Sequence, residues 1–97
     1  MNILWSDQAR RDLQAIRDFI ARDSEFYAQQ QITRIIERAE YISVMPTMGH
    51  RVHEYPDLAM RETHEDNYRI IYTFDDEDLQ VVTIVHMKQM LKRRRLG

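Results

Sequence analysis

Arg69 is the side chain in this sequence best placed to act on a ligand. It belongs to the run Tyr68 to Phe74, where period-two alternation puts Tyr68, Ile70, Tyr72 and Phe74 on one face and Arg69, Ile71 and Thr73 on the other. A guanidinium there could stabilise negative charge on a bound group, or could form a cross-strand ion pair with Glu62 or Glu65. Arg61 and Glu62 carry the same structural reading, as partners of their neighbours. His86 is of the residue type that can serve as an acid or a base, although strand histidines such as His86 and His64 are more often satisfied surface or edge residues. His50 and His53 have a spacing that holds zinc on a helix. Here it falls in a loop beside Gly49 with no third ligand, so no metal site is expected. The acidic turn Asp75 to Asp78 lacks the spaced ligands and glycine of a calcium loop and reads as a solvated hairpin tip.

The second chemical feature is a basic tail over residues 88–97, where Lys88, Lys92, Arg93, Arg94 and Arg95 contribute +5. The whole chain is −2, so residues 1–87 carry −7. An acidic body with a cationic end argues against nucleic-acid binding by the chain alone, which needs a broad cationic footprint. It suits docking of an acidic partner segment, with a target-reaching element or a disordered end as the other readings. There is no cysteine, hence no disulfide or thiolate metal site, and nothing asks for a cofactor. The N-terminus has no basic segment leading into an apolar one, and no apolar run is long enough to span a bilayer, so a cytoplasmic protein without membrane contact is expected.

The elements that must position these groups follow from the apolar spacing. Asn2 to Trp5 reads as a strand, ended by Ser6, a good helix N-cap, with Asp7 at the positive end of the following helix. Ala9, Leu13, Ile16 and Ile20 then mark one face, with Arg10, Arg11, Asp12, Arg17 and Asp18 on the other. Asp23-Ser24-Glu25 interrupts, and a second helix follows through Ala28, Ile32, Ile35, Ile36, Ala39 and Ile42. So short a connection implies an antiparallel helix hairpin. Trp5, Ile32, Ile36 and Ile42 should be core or partner-covered surface. Pro46 and Gly49 open a loop through Pro56, after which Leu58 to Glu65, Tyr68 to Phe74 and Leu79 to His86 read as three strands joined by hairpins. The expectation is one α+β domain over residues 1–97, ordered β-α-α-β-β-β, with the helix hairpin on the Tyr68 face of an antiparallel sheet.

Four stretches give the chain a resemblance to the ParE/RelE toxins of bacterial type II toxin–antitoxin systems, and more to the ParE branch. They are Trp5 to Leu13, Pro46 to Glu54, Met60-Arg61-Glu62 with Tyr68-Arg69-Ile70-Ile71-Tyr72, and Val82 to His86. The resemblance implies a cognate, ParD-like antitoxin whose C-terminal segment wraps the hairpin and sheet and which carries a DNA-binding domain. It also implies one of two targets: messenger RNA on the ribosome for RelE-like ribonucleases, or DNA gyrase for ParE-like members.

Cleavage by the 2′-hydroxyl requires a base, an acid and cations around the phosphorane. RelE-like enzymes are similar to one another in using lysines of the first hairpin strand, an arginine of the Tyr-Arg strand, and a basic residue and a tyrosine near the C-terminus. Of these Arg69 is kept. The lysine positions fall on Met60 and Glu62, Lys88 is an inexact basic equivalent, and no tyrosine follows Tyr72. Some relatives use a glutamate, an arginine and a histidine, a set that Glu54, Arg69 and His86 would imitate. The leading expectation is therefore a non-catalytic toxin that inhibits DNA gyrase and is neutralised by its antitoxin. A ribosome-dependent endoribonuclease using Arg69, His86 and Glu54 is the enzymatic alternative, and an inert homologue acting only as antitoxin partner is the third. Contacts with target or antitoxin are expected at Arg61, Arg69, His86, Lys88, Lys92, Arg93, Arg94 and Arg95.

Overall fold

A computed structural model describes all of residues 1–97. Strand β1 (Asn2–Trp5) leads into helices α1 (Asp7–Ala21) and α2 (Glu25–Val44). Each helix begins where a serine can accept an otherwise orphaned backbone N–H: Ser6 from Ala9 and Ser24 from Tyr27. A 3-10 turn, Pro46–Met48, follows, and then strands β2 (His50–Arg51), β3 (Arg61–Glu65), β4 (Tyr68–Phe74) and β5 (Asp78–His86), ending in a second 3-10 turn, Arg93–Leu96.

The strands form one sheet ordered β1-β5-β4-β3-β2. β2, β3, β4 and β5 pair antiparallel, but β1 lies parallel to β5: the helix hairpin carries the chain to the opposite edge of the sheet, where β2 runs against β1, and three further reversals bring β5 back beside β1 in its own direction. The sheet is thus mixed, not antiparallel as expected, and has a fifth strand. The short β2 was hidden in the loop because two residues carry no readable alternation. The strand expected from Leu58 begins only at Arg61; residues before it belong to the loop that covers the sheet's far face.

The helix hairpin packs on the expected face. Ile35, Ala39 and Ile42 of α2 and Ala9 of α1 meet Tyr68, Ile70 and Tyr72 of β4 and Leu79, Val81 and Ile84 of β5. Phe74, expected on the same face, stays partly exposed at the strand's end. The β4–β5 register slips between Ile71 and Tyr72, which face Thr83 and Val81. That bulge at Val82 inverts the phase of β5, so that Leu79 and Val81 before it and Ile84 after it all face the helices, while Val82 and Val85 face away. The far face is not open to solvent. Ile71, Val82 and Val85 form a second core with Val52, Leu91 and Leu96, flanked by Tyr55, Leu58 and Met60.

Gly49 is required by a close approach. Its N–H donates to the buried Tyr72 hydroxyl at 3.1 Å, and that hydroxyl donates to the Pro46 carbonyl at 2.6 Å. A Cβ at position 49 would sit 2.0 Å from the Tyr72 oxygen, so a side chain there would break the contact that ties the loop to β4.

Candidate functional site

Arg69 projects from β4 onto the far face and is clamped between two carboxylates. Its Nη1 and Nη2 donate to Glu54 at 2.7 and 2.9 Å, and its Nε and Nη2 donate to Glu62 at 3.0 and 2.6 Å. Glu62 also contacts His64 Nε2 at 2.7 Å. The Arg69 side chain is only 12% exposed and that of Glu62 7%. Two bidentate pairs occupy four of the five guanidinium protons, so little of Arg69 is available to a phosphate. The cross-strand pair with Glu62 read from the sequence is present; Glu65, the other possible partner, is replaced by Glu54 from the loop.

The electrostatics follow the geometry. Hydrogen bonding from Arg69 holds the Glu54 carboxyl below its usual range. Burial pushes Glu62 upward most strongly, but the hydrogen bonds from Arg69 and His64 together outweigh it, and the net shift is downward. Glu54 and then Glu62 raise Arg69 above an already high value. Lowered carboxylates bind fewer protons in the folded chain than in the unfolded one. Their stabilisation is therefore complete above the ordinary glutamate value of 4.5 and is lost as pH falls through the folded values. Urea unfolding midpoints should stay level from neutrality to about pH 5.5 and fall steadily below that. A midpoint that rises on acidification would contradict the clamp.

His86 does not join this group. It faces Tyr68 across β4 and β5, on the helix side, with its ring edge-on to the Tyr68 ring at 5.4 Å. Cross-strand partners share a face and Arg69 has the opposite parity, so Glu54 and Arg69 are brought together and His86 is held on the other side of the sheet. Arg61 donates from Nη1 to the Gly49 carbonyl at 2.8 Å, holding the loop. His50 stands in β2 and His53 in the loop after it, and no three potential ligands gather around a point.

The basic tail is packed onto the body, through Leu91 and Leu96 and through a hydrogen bond from the Tyr55 hydroxyl to the Leu91 carbonyl at 2.8 Å. Its cations divide into two sets. Arg93 pairs with Asp57 at 2.5 Å and lies over the Tyr55 ring, and Arg95 pairs with Asp12 at 2.8 Å. Lys88, Lys92 and Arg94 are exposed and take part in none of the chain's ion pairs.

Asp12 was placed among the outward residues of α1 by helical period, and the structure reverses that. It is buried and accepts four hydrogen bonds: from Thr83 Oγ1, the Ile84 backbone N–H, Gln8 Nε2 and Arg95. β1 ends at Trp5, so the outer edge of β5 beyond Val81 has no strand to pair with. Side chains of the helix entry replace it, Ser6 donating to the Val82 carbonyl at 2.6 Å and Asp12 accepting from Ile84 at 2.9 Å. No helix-period argument contains this information; it depends on where β1 stops.

Large apolar side chains remain on the surface of the helix hairpin. They include Phe19, Phe26 and Tyr27 near its tip, and Tyr41, Val44, Met45 and Met48 at its far end. Tyr41 and Val44, three apart, share a face of the last turn of α2, and Met45 and Met48 follow in its cap and in the 3-10 turn.

The chain is thus a two-layer α+β domain in which a helix hairpin links β1 to β2 across one face of a mixed sheet and leaves large apolar side chains exposed, while on the opposite face one guanidinium is held by two carboxylates. The chain belongs to the family described as ParE toxin of type II toxin–antitoxin system, parDE, whose model matches residues 3–91. No curated protein matches it. Among solved structures the fold is similar to the chromosomal ParDE toxin–antitoxin system from P. aeruginosa, at TM-score 0.71 and 17% identity over 89% of this chain and 95% of that one. It is also similar to the toxin–antitoxin complex RelBE2 from Mycobacterium tuberculosis, at TM-score 0.64 and 20% identity over 88% and 95%.

Proposed function

We propose that this toxin acts without catalysis, by binding and inhibiting DNA gyrase, and that a ParD-like antitoxin with its own DNA-binding domain neutralises it. The observation that carries this reading is the state of Arg69. A ribonuclease of the related branch would need this guanidinium free to meet a phosphate, and here Glu54 and Glu62 occupy it while His86 lies across the sheet. Glu62 stands where a cation would be needed, and a carboxylate there repels RNA. The exposed apolar side chains at the tip and far end of the helix hairpin and the three unpaired cations of the tail fit a protein that works by docking, and their exposure supports an antitoxin that covers them. Acting on gyrase requires residence in the cytoplasm, and no helix of the chain is long and apolar enough to cross a membrane.

The test is a gyrase supercoiling reaction run beside a cell-free translation reaction, both receiving the same purified chain. The expected result is loss of supercoiling with messenger intact. Cut messenger with gyrase untouched would move the function to RNA, and silence in both would leave an inert homologue that serves only as antitoxin partner.

A further inference from the structure

Beside the edge of β5 that Asp12 caps, between α1 and the C-terminal segment, lies a cavity of about 360 Å³. Its walls are apolar, built from Ala15, Ile16 and Phe19 of α1 and from Tyr68 and Ile84 of the sheet. Asp12 and Arg95, also at its lining, neutralise each other, so the recess has no free charge with which to hold an ion. Its size falls in the range of roughly 300–1,000 Å³ in which proteins enclose small ligands, and such recesses also seat the anchoring side chains of partners. Phe19 forms an exposed lip, 63% accessible. Next along the chain from the lining residues His86 and Gln89 stand Met87, Lys88 and Met90, and next to Arg95 stands Arg94. The lining residues on the C-terminal side thus have as chain neighbours exposed methionines and cations that have no carboxylate of their own.

We propose that this recess takes a bulky aliphatic or aromatic side chain from a protein partner whose residues on either side of that anchor are acidic. The inference rests on the reading of the chain as a docking protein and names the part of the partner that enters. The anchor would remove Phe19, Ala15 and Ile16 from water, and its acidic neighbours would reach toward Lys88 and Arg94. A nucleic acid fits less well, because residues 1–87 carry −7 and would repel a phosphate backbone away from the tail.

The test is a nuclear magnetic resonance titration of the full-length, isotope-labelled chain with the peptide acetyl-Glu-Asp-Leu-Asp-Glu-amide. Shifts confined to Ile16, Phe19, Ile84 and Gln89 are expected, with millimolar affinity. Ala15→Trp, which fills the cavity mouth from an exposed helical position, should weaken binding by about tenfold or more, as loss of a central anchor does. Gln14→Trp, exposed and outside the lining of the cavity, should leave binding unchanged and so controls for folding. Lys88→Glu should weaken it by about threefold, more at low salt than at high. Absence of these shifts, or an equal response to the same peptide with lysines in place of its acids, would overturn the proposal. So would a hexathymidylate oligonucleotide that moves the same resonances at lower concentration, which would assign the surface to nucleic acid. Gyrase inhibition by the unaltered chain is read separately, so failure of the pocket and failure of the gyrase reading are distinguishable.

Discussion

Arg69→Ala is expected to lower the unfolding free energy by about 3 kcal/mol, because removing one partner of a desolvated ion pair leaves the other uncompensated. Glu54 is more than a third exposed and can recover its hydration, so most of the loss falls on Glu62, left in a buried position with only His64 beside it. The cost belongs to the stranded charge more than to the lost attraction. Adding Glu62→Gln to Arg69→Ala should therefore restore about half of the stability. Acidification should also bring wild type and Arg69→Ala together, because the wild-type clamp loses its contribution as Glu54 and Glu62 protonate and the variant has none to lose. Urea unfolding measures all three effects as displaced midpoints at constant slope. The same variant also separates the two chemistries. A residue acting on RNA could be removed with toxicity lost and the fold intact, so an Arg69→Ala protein of wild-type stability that no longer arrests growth would return Arg69 to a catalytic role.

The sequence exposed those parts of the fold that are set by local patterns. Ser6 and Ser24 mark both helix starts because capping is a contact between residues three apart. The burial of Tyr68, Ile70 and Tyr72 follows from alternation within one strand. What stayed hidden depends on partners distant in the chain. The parallel pairing of β1 with β5 joins Asn2 to Asp78, and the bulge at Val82 changes which residues of β5 face the helices without any signature in composition. The candidate site divides in the same way. Glu62 could be named as a partner of Arg69 because adjacent hairpin strands bring them together, whereas the second carboxylate, Glu54, reaches Arg69 from the loop. The set of Glu54, Arg69 and His86 that the ribonuclease alternative would use is divided by parity: Arg69 and His86 belong to opposite faces, and only the β4–β5 register reveals it. Arg93 and Arg95 looked like free cations until the tail folded back onto Asp57 and Asp12.

Asp12→Ala is the change expected to reach furthest through the molecule, at a cost of about 3–4 kcal/mol. One carboxylate there satisfies the backbone N–H of Ile84, the Thr83 hydroxyl and the Arg95 guanidinium, and alanine leaves all three without their partner in or near the core. Asp12→Asn, with its amide oxygen in place of Oδ2, keeps the acceptor that Thr83 and Ile84 share and should cost about half as much, since the charge-assisted contact with Arg95 is lost while the neutral ones survive. The tail reports the event independently. Without Asp12 it is held by Leu91, Leu96, the Tyr55 contacts with Leu91 and Arg93 and the exposed Arg93–Asp57 pair, so it should open at lower free energy than the domain unfolds. Trypsin under native conditions should then cut after Lys92, Arg93 and Arg94 faster in Asp12→Ala than in wild type, before any cleavage within the helices. Unchanged midpoints together with unchanged tail cleavage would mean that Asp12 does not link α1, β5 and the C-terminus. If the link holds, the same variant loosens one side of the cavity beneath Phe19. A partner that seats its anchor there would bind Asp12→Ala less tightly even under conditions where the variant remains folded.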